Sequence, residues 1–301
     1  MPGSIRDSGE VNPSRREYPR PRVLSVAHSP DPDDAFMFYG ISQGKLAGEN
    51  FRVRHVLKDI QSLNEDAFKG RWHITAISAA AYPRAADKYW VLSVGASVGR
   101  KYGPLVLARP DRLDRLKSSD WSRLRIATPG PQTTALMLLR LYRGAFTAVD
   151  TRFDHILEAV KKGKVDAGLV IHEGQLTYKD HGLVSAVDLG KWWFRETGLP
   201  IPLGLDVVRK DLGRVAARDM ARLLVRSIRE AYRNKKEAVA YALKFGRGID
   251  ASVGERFVRM YVNKDTLDMG KAGEKALRTL FDRAHRAGLI KKSVPLEIIH
   301  P

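Results

Sequence analysis

The sequence predicts a two-lobed α/β clamshell that holds its ligand between the lobes. Three observations carry this expectation. Short apolar strands alternate with capped helices, as in β-α units around a largely parallel sheet. A second such series, from about Arg109 to Pro202, interrupts the first and is bracketed by two candidate crossover strands, LVLA and LGLDVVRK. The C-terminal stretch is helical. The expected organisation is a disordered tail over residues 1–20, a larger lobe from 21–108 plus 203–301, and a smaller lobe from 109–202.

A chain of 301 residues can bury a sizeable core in one or two domains. Its 44% hydrophobic and 29% charged residues are those of a globular protein. Cysteine is absent, which excludes disulfides, thiolate metal sites and a thiol nucleophile. A net charge of +18 admits nucleic-acid, anionic-membrane or acidic-substrate partners without choosing among them. The N-terminus, MPGSIRDSGEVNPSRREYPRPR, lacks the apolar segment of a secretory signal and reads as a polar tail. No run of about 18 apolar residues predicts a transmembrane helix, so the cytoplasm is the simplest compartment.

In chain order, Val23–His28 reads as a strand entering the turn SPDPDD. The following AFMFYGISQGKL reads as a helix capped by Asp33 or Asp34, with Gly44 near its end. Asp31, Asp33 and Asp34 match no calcium-loop spacing, so no metal is expected there. Phe51–Leu57 is a strand, Ile60–Phe68 a helix closed by Gly70, and Trp72–Ile77 a strand that delivers Ser78 to a helix start. There Ser78 is placed to cap the helix or to meet a ligand. Trp90–Val94 and Leu124–Ala127 are further strands. The second of these leads into TPGPQTTALMLLRLY, a tight turn and helix with Thr133 and Thr134 in the first turn. Backbone N–H groups and the helix dipole suit such an end to an anion, although the lysine and spacing of a P-loop are missing. Arg152–Asp154 reads as a short strand and His155–Lys162 as a helix closed by Gly163.

Val165–Glu173, VDAGLVIHE, reads as a strand buried on both faces, because its apolar residues do not alternate. It ends in His172. Ligands of open α/β sheets bind beyond the carboxyl ends of the strands, and a histidine there is suited to proton transfer. Hydrogen bonding inside the fold is the competing explanation of a lone histidine. Beyond it, Leu183–Asp188 is a strand, and the adjacent Trp192 and Trp193 cannot share one helix face. A long amphipathic helix, Val215–Asn234, carries Arg218, Arg222, Arg226, Arg229 and Arg233 along one side, which reads as a solvated face. Three more helices follow, over Glu237–Phe245, Ala251–Tyr261 and Ala272–Ala287.

Several segments together, HSPDPDDAFMFYGI, TPGPQTTALMLLRLY, DAGLVIHEGQLTY, DLGKWWFRETGLPIPLG and YVNKDTLDMG, resemble the 1,4-dihydroxy-6-naphthoate synthase family of menaquinone biosynthesis. The resemblance runs from about Val23 to the C-terminus. It implies a fold like type II periplasmic binding proteins. It also implies a cofactor-independent lyase that cleaves cyclic dehypoxanthine futalosine to 1,4-dihydroxy-6-naphthoate and dihydroxyacetone. By the same resemblance His172 is the base, and Ala76, Ile77, Ser78, Thr133 and Thr134 contact substrate. Two departures stand out. The turn commonly reads SPCPND, where this chain has SPDPDD, and the familiar lysine is Ala76 here. Both make that side of the cleft less cationic, and Arg100 or Lys101 is the nearest candidate to compensate. The competing readings are a non-catalytic cytoplasmic binding protein, a paralogous enzyme acting on another small carboxylate, and nucleic-acid binding. The last rests on charge alone, since no DNA- or RNA-binding motif accompanies it.

Overall fold

Two sheets organise the chain. The computed structural model describes residues 22–44, 46, 51–117, 120–245 and 250–301, so the tail expected over residues 1–20 lies outside the described residues. Five strands come first: β1 (Arg22–His28), β2 (Phe51–Leu57), β3 (Ile74–Ser78), β4 (Tyr89–Leu92) and β5 (Ser97–Gly99). Then come β6 (Leu105–Ala108), β7 (Arg125–Thr128), β8 (Thr147–Asp150), β9 (Ala167–Val170) and β10 (Val184–Asp188). The last two are β11 (Ile201–Arg209) and β12 (Ile298–Ile299). The first sheet runs β12-β4-β11-β3-β1-β2 with β5 on the end of β11, and the second runs β10-β6-β9-β7-β8. In the first, β1 is parallel to β2 and β3, while β11 returns antiparallel between β3 and β4. In the second, β7 is parallel to β8 and β9, and β6 is antiparallel to β9 and β10. The LVLA segment therefore lies inside the second sheet, and the outward crossing is the loop between Gly99 and Leu105.

The helices fill the connections. Those of the first half are α1 (Pro32–Met37), α2 (Tyr39–Ser42), α3 (Ile60–Phe68) and α4 (Tyr82–Ala85). The second half carries α5 (Leu113–Lys117), α6 (Thr134–Arg143), α7 (Ile156–Lys161), α8 (Gly174–Thr177) and α9 (Leu189–Thr197). After the return come α10 (Gly213–Arg233), α11 (Lys235–Leu243), α12 (Ala251–Tyr261), α13 (Lys264–Leu267) and α14 (Gly270–Arg286). Strands β3 and β9 are buried along their whole length, as expected of strands covered on both faces.

Three local expectations need correction. The segment Arg152–Asp154 is no strand: Phe153–His155 forms a helical turn, and the strand lies earlier, at Thr147–Asp150. There β-branched Thr147 and Val149 pair with β7. The first helix breaks at Phe38 into α1 and α2, and Asp31, not Asp33 or Asp34, is its N-terminal boundary residue. The strand around His172 ends at Val170, so His172 projects from the turn that follows.

The largest apolar cluster takes residues from both sheets, among them Ile77 and Val207 of the first and Val106 and Ile126 of the second. The halves thus share a core. Trp193 belongs to it, fully buried, with its indole N–H donating to Pro200 O at 2.9 Å. Deleting such a side chain costs about 3–5 kcal/mol. Trp192, only partly buried, packs against the same cluster and against Tyr142, with ring centroids 5.3 Å apart. A second cluster packs α1, α2 and α10 on the far side of the first sheet. The arginines of α10 are all exposed, while Met220, Leu224, Ile228 and Ala231 face that core. At the outward crossing the backbones of Tyr102 and Gly190 touch so closely that any side chain at 190 would overlap Tyr102.

Candidate active site

The C-terminal ends of β1, β3, β7 and β9 converge on one cleft between the sheets, as the strand-end rule for open α/β sheets predicts. It is lined by residues of both halves, from Ser29 and Ser78 on one side to Thr134 and His172 on the other. All six residues expected at the site line it: Ala76, Ile77, Ser78, Thr133, Thr134 and His172.

His172 is 8% exposed, and its Nε2 is buried with no hydrogen-bond partner. Its Nδ1 lies 3.5 Å from Asp31 Oδ2, and the Phe153 ring sits 4.2 Å away at 60°. The turn is held by Gln175 N–H donating to His172 O at 2.9 Å. The Gln175 side chain in turn accepts from Tyr261 OH at 3.0 Å.

The threonine hydroxyls are bound within the fold. Thr133 Oγ1 donates to Gly130 O at 2.9 Å and accepts from Leu136 N–H at 3.4 Å, capping α6. Thr134 Oγ1 donates to Leu203 O at 2.6 Å and accepts from Ala80 N–H at 3.1 Å. Both hydroxyls are consumed by the fold. What α6 offers the cleft is the N–H groups of Thr134 and Ala135, which have no partner within the helix, and the positive end of its dipole. Ser78 marks the end of β3 but makes no capping bond; its N–H and Oγ are bound to the Asn64 amide at 2.8 and 3.1 Å.

The opposite wall is acidic. Asp31, Asp33 and Asp34 all line the cleft. Burial first, and then the charge of its neighbours, pushes Asp33 well above the usual carboxylate range. Burial pushes Asp34 up to about 7, against two bonds from Ser29, whose N–H donates to Asp34 Oδ2 at 2.8 Å. Behind them, Asp206 of β11 is 1% exposed with neither oxygen hydrogen-bonded. Burial, with Asp34 and Asp33 next in effect, raises it strongly as well. Gly95, at φ +87°, makes room for it, since a Cβ there would overlap Asp206 Oδ2. Asp206, Ser29, Asn64 and Tyr261 were missed by sequence reasoning. Only Asp206 left a signal, a charge inside an otherwise apolar strand.

Neither candidate cation compensates. Arg100 is clamped by Asp265 through two bonds of 2.7 and 2.6 Å, and Lys101 lies 4.9 Å over the Phe194 ring; neither lines the cleft. Among the described residues, no group of three or more His, Asp or Glu is arranged to hold a metal ion.

Comparison with known proteins decides the family. A profile described as menaquinone biosynthesis matches residues 24–286. The chain belongs to this menaquinone-biosynthesis family. The 1,4-dihydroxy-6-naphthoate synthase of Thermus thermophilus is 40% identical over 271 residues, 90% of this chain and 97% of the relative. That of Streptomyces coelicolor is 34% identical over 285 residues, 93% and 99% of the two chains. A crystal structure of an Archaeoglobus fulgidus protein superposes with TM-score 0.83 at 45% identity, covering 89% of this chain and 98% of that one. More distant neighbours share only the fold. One is the alkanesulfonate-binding protein of Xanthomonas axonopodis pv. citri, with TM-score 0.67, 13% identity and 94% and 100% coverage. The architecture is thus the two-lobed clamshell of periplasmic binding proteins, and this member of the menaquinone-biosynthesis family is an enzyme.

Proposed function

We propose that the enzyme is a carbon–carbon lyase converting cyclic dehypoxanthine futalosine to 1,4-dihydroxy-6-naphthoate and dihydroxyacetone. The observation that carries this reading is the His172 Nε2, buried at the cleft without a protein partner. A neutral imidazole there takes a substrate hydroxyl proton. Electrons then move into the carbonyl system, the carbon–carbon bond breaks in a retro-aldol sense, and aromatisation of the naphthoate drives the step. The substrate carboxylate rests on the α6 N-terminus, near Thr134 N–H and Ala135 N–H. Its hydroxyl-bearing end faces Asp33, whose carboxyl group hydrogen-bonds to hydroxyls. This orientation turns the acidic wall from an obstacle into a sorting device, with the anion on one side and the polyol on the other. The reaction needs no metal or organic cofactor, and the cytoplasm is the compartment we assign it.

The test is turnover of cyclic dehypoxanthine futalosine by purified protein, followed by chromatography of the naphthoate. Absence of product with substrate demonstrably bound would overturn the reading. His172→Ala should lower kcat by about 10²–10⁴-fold, the range of a lost general base. Activity within a few-fold of wild type would remove His172 from that role.

A further inference from the structure

We infer that Asp31 is the positioning residue for His172, and that the pair is assembled across the cleft from the two halves of the molecule. The inference rests on reading His172 as the base. Asp31 comes from the β1–α1 turn of the first half, and His172 from the turn after β9 in the second. Nothing in either half alone brings them together.

The carboxylate is built to stay where it is. Asp31 lies between Pro30 and Pro32, and its φ of −74° and ψ of 150° are those a following proline imposes. Its N–H donates to Ser29 Oγ at 3.2 Å, while Ser29 Oγ donates back to Asp31 Oδ2 at 3.0 Å. Asp31 is 9% exposed, so its charge acts on His172 with little screening. The Phe153 ring packs edge-on against the imidazole, with centroids 4.2 Å apart.

The chemistry follows from which nitrogen faces Asp31. Nδ1 points at Asp31 Oδ2, so the tautomer with hydrogen on Nδ1 is favoured and Nε2 keeps its lone pair for the substrate. When Nε2 takes the hydroxyl proton, the ring becomes an imidazolium whose Nδ1–H faces a carboxylate, which stabilises the charge. The proton leaves again from Nε2 to the departing fragment, and Asp31 never changes protonation. The 3.5 Å separation is ion-pair reach and longer than a charge-assisted hydrogen bond of about 2.7–2.9 Å, so ligand-driven closure would shorten it. Titratable groups near the pair, among the described residues, include Asp33 and Asp34 on α1, His28 at the end of β1 with His55 beside it, Asp206 on β11, Glu173 next in the chain and Tyr261 on α12. Burial lowers His28 to about 3, so it stays neutral and does not compete for the Asp31 charge.

The test uses Asp31→Asn, which keeps shape and removes charge, with Asp31→Ser as the second variant should the first fold poorly. Expected are a kcat loss of about 10–100-fold, the range found when the partner that orients a metal-bound histidine is removed, KM within about threefold of wild type, and an acid limb of the kcat/KM profile moved to lower pH. In parallel, ¹⁵N spectra of the unliganded protein should show His172 leaving the Nδ1–H tautomer in the variant. A folded variant with unchanged pH profile and unchanged ¹⁵N shifts overturns the inference. The two readings fail separately. If His172→Ala stays active, the base assignment falls and takes this inference with it. If His172→Ala is dead while Asp31→Asn leaves profile and spectra untouched, only the pairing falls. The ¹⁵N measurement decides on Asp31 whatever substrate the enzyme turns over.

Discussion

A carboxylate at Asp206, sealed behind Gly95 with both oxygens unpaired, lowers stability whenever it is charged. Burial raises Asp206, Asp33 and Asp34, the last from 3.8 to about 7. Such groups bind a proton in the fold that they release when unfolded. Stability is therefore complete below the ordinary carboxylate range and is lost as pH rises through the raised values, for Asp34 between about 4 and 7. Asp206→Asn should raise Tm at pH 8 by several degrees, at about 2–4 °C per kcal/mol recovered. It should change Tm little at pH 5. Equal shifts at both pH values in thermal melts would count against a buried charge. At this scale the sequence was informative where a residue's place follows from its own strand. His172, Ser78 and the threonine pair fall at strand ends that hydrophobic runs announce. Asp31 and Asp206 depend on partners from other elements, and no local spacing reveals those.

Among the elements, α6 does the most for the cleft, and it does so through its backbone. Thr133→Val removes the cap on Leu136 N–H and should cost about 1 kcal/mol, the usual price of a lost N-cap. With the first turn loosened, KM should rise more than kcat falls, whereas Thr133→Ser, which keeps the hydroxyl, should leave both near wild type. Steady-state kinetics with melts on the two variants separates these outcomes. The element pattern was largely legible, because period and capping residues act locally. It failed where tertiary contacts override them. The break at Phe38 coincides with its ring stacking on His28 at 4.4 Å, a contact the helical pattern of AFMFYGIS does not announce. The shift of a strand from Arg152–Asp154 to Thr147–Asp150 follows from pairing with β7, another long-range choice.

Over the whole molecule, bonds cross the cleft at several places. Tyr261 OH donates to Gln175 Oε1, Thr134 reaches Leu203 O, Gln132 N–H donates to Gln61 Oε1 at 3.2 Å, and Asp31 faces His172. Tyr261→Phe removes one of these without touching the base, so KM should rise several-fold with kcat nearly constant, as kinetics at saturating and limiting substrate would show. A fall in kcat alone would assign Tyr261 to the chemistry instead. The two-half plan was legible because a second β-α series interrupts the first. That the halves share one apolar cluster was not, since a hydrophobic residue does not disclose which sheet it will pack against. The cross-cleft bonds have a kinetic side. A pocket floored by both halves must be taken apart each time product leaves, and a shared core resists that motion. If that opening limits turnover, friction with the solvent paces it. Thickening the solvent with sucrose should then slow kcat in step with viscosity, whereas a kcat set by bond breaking alone would not change.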